Sequence, residues 1–341
     1  MEQRVLGKTG RGASIIGLGT WQLGADWGSV TEPDALAVLS AAVESGVTFL
    51  DTADVYGDGR SERIIGQFLA ANPGPGIVVA TKMGRRVEQV AENYTLANFR
   101  AWTDRSRANL GVDRLDLVQL HCPPTPVYYS DAVYDALDTL VAEGRIAAYG
   151  VSVETCEQAL AAIAHPGVAS VQIIFNAFRR KPLDQVLPAA AAAGVGVIVR
   201  VPLASGLLSG RYTIDTVFAA DDHRNYNRHG EAFDVGETFS GIDYATGVRA
   251  AGEFAAIVAE PGAFDGAGDG TVGEPATTAQ AALRWVTQQP GVTTVIPGAR
   301  NPGQARQNAA AAALPPLSEH ALGEIEELYD KYFRAEIHSR W

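Results

Sequence analysis

Residues 34–53 read DALAVLSAAVESGVTFLDTA, and the change of period inside this stretch decides the fold. From Asp34 to Ser45 the apolar residues recur three and four apart, as in a helix lying on a sheet. Gly46 follows, where a glycine ends a helix at little conformational cost. Phe49–Ala53 is then a short apolar run of strand length, with Asp51 near its end. Helix, glycine and buried strand make the second half of a βαβ unit.

The same phrase recurs along the chain. Strands are expected at Ile15–Gly19, Phe49–Ala53, Ile77–Lys82, Asp116–His121, Tyr149–Val153, Ser170–Phe175, Gly196–Val201 and Thr294–Pro297. Helical patterns occupy Ser61–Ala71, Asn98–Leu110, Val133–Glu143, Thr155–Ala164 and Leu183–Ala193. Gly111, Gly144 and Gly194 stand where Gly46 does, between a helical pattern and a strand. Near-continuous apolar strands joined by helices imply an all-parallel sheet. Eight units suit a closed (β/α)8 TIM barrel formed by residues 1–341 as one domain, and a doubly wound open sheet is the competing architecture. Two segments break the rhythm: a long loop at 203–247 after the seventh strand, and a Gly/Asp/Pro-rich stretch at 260–278 expected to be a flexible insertion.

Composition narrows the function. The chain has 341 residues, 47% hydrophobic and 19% charged, and a formal charge of −12. That balance suits a globular protein and opposes binding to nucleic acid or anionic membranes, which need a basic face. Two cysteines, Cys122 and Cys156, make no disulfide framework. Met1–Gly10 carries no apolar signal core, and no apolar run is long enough to span a bilayer, so a cytoplasmic location is expected.

In a parallel barrel, side chains from several strands converge at the C-terminal strand ends. Four polar residues fall there: Asp51, Tyr56 in the loop that follows it, Lys82 and His121. Taken singly, an Asp caps a turn, a Tyr packs a rim and a His is satisfied structurally. Lys82 is harder to dismiss, because only four of the 27 basic residues are lysines, and a compact ammonium acts as a point charge. Together they suit proton transfer to an oxygen. A phenol with a pKa near 10 is a poor donor at neutral pH, and a nearby ammonium would bring it toward the working range. Asp51 would balance Lys82, and His121 would polarise a carbonyl.

The chain resembles the aldo-keto reductase superfamily over nearly its whole length, near the bacterial and potassium-channel β-subunit-like members. The resemblance lies in the Asp51, Tyr56, Lys82 and His121 tetrad and in the stretches around it. These are Gly17-Leu18-Gly19-Thr20-Trp21, Asp51-Thr52-Ala53-Asp54-Val55-Tyr56-Gly57, Gly150-Val151-Ser152, Pro202–Gly210 and Ile296-Pro297-Gly298-Ala299-Arg300. It implies NADPH or NADP+, with NADH less favoured, bound without a Rossmann fingerprint; no G-x-G-x-x-G opens a βαβ unit near the N-terminus. It implies a small carbonyl or sugar substrate, with Tyr56 as proton donor and Trp21, Tyr56 and His121 facing that substrate. By the same resemblance Thr20, Trp21, Asp51, Ser152 and Gln172 lie at the nicotinamide end. Pro202, Leu203, Ser205, Gly206, Leu208, Gly210 and Arg211 wrap the pyrophosphate, and Gly298, Arg300, Gln304, Gln307 and Asn308 surround the adenosine. Arg300 is the candidate for the 2′-phosphate.

Two positions depart from the pattern. Val153 stands where the family usually has Asn, and Arg200 where many members stack an aromatic ring on the nicotinamide. Arg200 either stacks in its place or reaches an anionic or polyhydroxy substrate. The remaining histidines form no metal-ligand spacing, and His223 and His229 lie in the long loop. The alternative to an enzyme is an NADPH-sensing regulatory subunit like the channel β-subunits. The sequence leaves substrate identity, reaction direction and oligomeric state open.

Overall fold

Eight short parallel strands pair in chain order, each on its predecessor, in the computed structural model, which describes residues 1–24, 30–74, 76–232, 234–266 and 275–341. A hairpin of β1 (Gln3–Val5) and β2 (Gly12–Ser14) precedes them and was not legible as strand in the polar N-terminal residues. The barrel strands are β3 (Leu18–Gly19), β4 (Phe49–Asp51), β5 (Val78–Met83), β6 (Leu117–His121), β7 (Tyr149–Ser152), β8 (Val168–Ile174), β9 (Gly196–Arg200) and β10 (Thr294–Val295). Parallel bridges Ile16 to Val295 and Gly19 to Gly298 join the last strand to the first. The (β/α)8 barrel is therefore closed, and the open-sheet alternative falls.

Inside, Leu6, Ala13, Phe49, Val78, Ala80, Leu117, Ile198 and Ile296 form a separate apolar cluster. Leu6 and Ala13 come from the hairpin, so the hairpin stops the N-terminal end of the barrel and leaves the other end for chemistry. Gly7 allows this closure: its φ is +49°, and a Cβ there would collide with the backbone of Ala169 and Gly196.

Outside run α1 (Glu32–Glu44), α2 (Arg60–Ala71), α3 (Leu96–Leu110), α4 (Asp131–Ala142), α5 (Cys156–Ile163) and α6 (Val186–Ala193). Polar caps set their starts: Thr31 and Thr95 accept backbone N–H groups, and Thr155 with Gln158 forms a capping box. After β9 come the short α7 (His223–Tyr226), then α8 (Tyr244–Ala259), α9 (Thr278–Thr287), α10 (Pro302–Ala310), α11 (Glu319–Tyr329) and α12 (Ala335–Ile337).

One expected boundary needs correction, and one expected insertion is described only in part. The long segment ends at Asp243, because residues 244–247 begin α8; the connection itself holds short 3-10 turns at Ala204–Ser209, Val235–Glu237 and Phe239–Gly241. The stretch expected to be a flexible insertion is pinned at its start. The Asp265 amide donates to the Pro316 carbonyl at 2.8 Å, the Ser318 amide to the Ala263 carbonyl at 2.9 Å, and its last residues cap α9. Residues 267–274 of that stretch lie outside the described residues. No helix among the described residues is long and apolar enough to cross a membrane.

Candidate active site

Register fixes the strand-end residues before any side chain is considered. Asp51 lies opposite Ala80, Lys82 opposite Gln119, and His121 opposite Ser152, which lies opposite Gln172. All point to the end of the barrel that the hairpin does not close.

The Lys82 ammonium donates to Asp51 Oδ2 at 2.5 Å, to the Thr52 carbonyl at 2.9 Å and to Tyr56 Oη at 3.4 Å. Lys82 is 1% and Asp51 2% exposed, so this is an ion pair in a low-dielectric setting that survives only because each partner is held. The second carboxylate oxygen, Oδ1, accepts from Gln172 Nε2 at 2.7 Å and Gln119 Nε2 at 3.2 Å. His121 is buried with its ring edge-on to Tyr56, centroids 6.0 Å apart, and its Nδ1 has no hydrogen-bond partner.

The electrostatics give each group a state. Burial lowers the Lys82 pKa, but Asp51 and then Tyr56 outweigh it and keep the ammonium charged. Burial holds the His121 pKa well below its ordinary value, and Arg85, Lys82 and Arg200 add to that, so the imidazole is neutral. For Tyr56 the direction differs from the sequence-based expectation. Burial raises its pKa more than Lys82 lowers it, and Asp51 raises it further. The resting phenol thus carries its proton, and Lys82 stands ready to stabilise the phenolate once the proton is given up.

These groups open on one cavity of about 530 Å³. Its wall includes Thr20, Trp21, Asp51, Tyr56, His121, Ser152, Gln172, Arg200, Pro202, Leu203, Ser205, Gly206, Gly298, Arg300 and Gln304, all singled out in the sequence. The Trp21 ring lies tilted against its neighbours, with centroids 6.3 Å from Tyr56 and 5.1 Å from His223, which reaches the wall from the long loop; His229 is exposed elsewhere on that loop. Lys82 stands behind the wall. The remaining expected residues do not reach it: Leu208 is in the core, and Arg211 and Gln307 are exposed. Gly210 abuts Thr278, and Asn308 donates to the Gly298 carbonyl at 3.2 Å.

The cavity suits a long dipolar nucleotide. Val201, Ala204 and Ser205 adopt φ of +52°, +47° and +56°, left-handed values that non-glycine residues enter only under constraint. Gly206 follows at φ +97°, where a Cβ would come within 2.6 Å of the Tyr212 ring. Such a turn presents backbone N–H groups to an anion. The guanidinium groups of Arg224 and Arg300 line the same cavity as Tyr56, so the donors suit phosphate at one part and a carbonyl at another.

Several residues at this site were not singled out in the sequence. Gln119 carried a signal, since it lies two residues before His121 on the same strand face. Glu237, Arg85 and Arg224 line the cavity, but they sit in a loop or in helical turns of three or four residues, too short to show a period. Glu237 binds the Arg200 guanidinium, whose Nη2 also donates to the Val153 carbonyl at 3.1 Å.

Comparison with known proteins agrees with this geometry. The family described as Aldo/keto reductase matches residues 15–330. The aldo-keto reductase YhdN of Bacillus subtilis is 28% identical over 308 residues, 89% of this chain and 86% of its own. A glycerol dehydrogenase from Gluconobacter oxydans superposes with a TM-score of 0.74 at 28% identity, covering 94% of this chain and 93% of its own. An aldo-keto reductase from Klebsiella pneumoniae, solved in complex with NADPH, shares the fold with a TM-score of 0.68 at 24% identity over 96% of both chains. The chain belongs to the aldo/keto reductase family of oxidoreductases.

Proposed function

We propose that this protein uses NADPH to reduce aldehydes or ketones, or in reverse oxidises the corresponding alcohols or sugars, with Tyr56 moving the proton. The observation that carries the reading is the chain of contacts from Asp51 through Lys82 to Tyr56 Oη beside a neutral His121 in one cavity. The NADPH complex of the Klebsiella relative and the glycerol dehydrogenase relative support it.

NADPH, when bound, supplies the hydride. Each remaining task falls to the chain. Neutral His121 donates a hydrogen bond to the substrate oxygen and orients it, because an imidazole without charge can polarise a carbonyl and release the product alcohol. Tyr56 gives its proton to that oxygen. The phenolate left behind lies 3.4 Å from an ammonium already pinned by Asp51, so its charge is met without rearrangement. Gln172 and Gln119 hold the Asp51 carboxylate in place by donating to its other oxygen. Trp21 walls the pocket and excludes water. Ser152 and Gln172 would hold the nicotinamide carboxamide, the turn at 202–206 the pyrophosphate, and Arg300 with Gln304 the adenosine.

A fluorescence titration with NADPH and NADH, read from the tryptophans, tests the cofactor half of the reading. Tight NADPH binding that weakens about tenfold in Arg300→Ala, with NADH binding unchanged, is expected for a guanidinium that meets the 2′-phosphate. No binding of either nucleotide would end the proposal.

A further inference from the structure

Three cations act on His121: Arg85, Lys82 and Arg200. Each has its own carboxylate. Lys82 pairs with Asp51 at 2.5 Å, Arg85 Nη2 lies 3.6 Å from Glu154 Oε1, and Arg200 is bonded to Glu237. With the imidazole neutral, the part of the cavity where a substrate oxygen would sit carries no net charge. Of the two loop carboxylates, Glu237 alone lines the cavity.

Glu237 does not reach this place by chance of a surface rotamer. Ser205 Oγ donates to the Glu237 carbonyl at 2.5 Å and accepts the Phe239 amide at 3.2 Å. On the other side Trp341 packs over Arg179, with the guanidinium carbon 4.0 Å from the ring centroid, and its indole N–H donates to Asp234 at 3.4 Å. Between these braces lies buried Gly236, where a Cβ would collide with Arg179 and Trp341. Burial raises the Glu237 pKa, but Arg200 and then Arg85 outweigh it, so the carboxylate stays ionised.

We propose that Glu237 determines the substrate class: by neutralising Arg200 it makes the cavity accept uncharged carbonyl compounds and reject those bearing a carboxylate. The inference rests on the reading above of the site as a carbonyl reductase. An unpaired guanidinium at the end of β9 would bind a carboxylate as a bidentate partner. With Glu237 in place, a substrate carboxylate must displace one that is already fixed and desolvated, and the like charges repel.

The test compares para-(hydroxymethyl)benzaldehyde with para-carboxybenzaldehyde, which differ in one charged group remote from the reacting carbon. Wild-type protein should favour the uncharged aldehyde in kcat/KM by at least about tenfold. Glu237→Gln should shift that ratio at least about tenfold toward the carboxylated aldehyde, and adding Arg200→Met should abolish the shift. Binding of benzoate and of benzamide in the presence of NADP+, read by tryptophan fluorescence, gives the same comparison without turnover. If no carbonyl is reduced but benzoate tightens in Glu237→Gln, the reductase reading fails and the charge assignment stands. Wild-type protein that already prefers the carboxylated aldehyde, or a ratio unmoved in a folded Glu237→Gln, overturns the proposal; the wild-type comparison decides even if the variant does not fold.

Discussion

The tetrad and the Arg200–Glu237 pair face the same cavity, yet they are built in different ways. Asp51, Lys82 and His121 stand on adjacent strands whose register fixes their spacing, and Tyr56 follows β4 by five residues. Arg200 also ends a strand, but its partner comes from the connection after β9. That partner is placed by Ser205, Arg179 and Trp341, which are remote from one another in the chain. A barrel can hold its proton-transfer chemistry on the sheet and leave the choice of substrate to loops, since strand ends are shared and loops are free to vary.

The comparison breaks most plainly at Asp51. Asp51→Asn leaves the Lys82 ammonium buried with no counter-charge, and removing one partner of such a pair costs about 3–5 kcal/mol. Turnover should fall at least about a hundredfold as Lys82 ceases to hold a phenolate. Thermal unfolding and steady-state kinetics measure both losses, and a stable, active Asp51→Asn would show that the sheet region does not depend on this pair.

Asp54 sharpens the same region through pH. It lies two residues before Tyr56, its carboxyl oxygens are buried without a side-chain partner, and its pKa is pushed up to about 7 by burial, then Glu62, against Arg86, Arg105 and the Val55 amide. The unfolded chain releases this proton near pH 4, whereas the folded chain retains it to about 7. Asp54 therefore lowers stability progressively as pH rises through that window. Asp54→Asn should gain on the wild type from pH 4 to pH 7, by an amount on the order of 2–4 kcal/mol, as followed by urea unfolding at each pH. An equal difference at both pH values would remove Asp54 as the titrating group.

The smallest effect belongs to the loop. Gly236→Ala forces a methyl group against Arg179 and Trp341, which should cost about 1–3 kcal/mol and displace Glu237. KM should rise several-fold while kcat changes less, because the tetrad is untouched. A fall in kcat with KM unchanged would couple the two regions more tightly than their separate scaffolds suggest.

The barrel was legible because each βα unit repeats one physical pattern. Gly111 and Gly194 end α3 and α6 in the left-handed conformation, and the tetrad falls at strand ends that alternation alone locates. Boundaries were less certain where pairing is sparse: Ile15–Gly19 narrows to Leu18–Gly19 with one bridge at Ile16. The hairpin was hidden because each of its strands has three residues of mixed character, and only Leu6 and Ala13 from it join the inner apolar cluster. Glu237 was illegible for a deeper reason. Its partner lies 37 residues away, and no local period records a contact made by tertiary packing. The direction of the Tyr56 shift was missed likewise, because burial is a property of the closed cavity and not of the residues beside it.

The most direct test of the central claim is Tyr56→Phe, assayed side by side for NADPH binding and aldehyde reduction. The account predicts that the nucleotide still binds as tightly as in the wild type while turnover falls by about a thousandfold or more, since only the donated proton is removed. Reduction at a rate near the wild type, with binding intact, would contradict it and require a proton donor other than the phenol at the end of the Asp51–Lys82 chain.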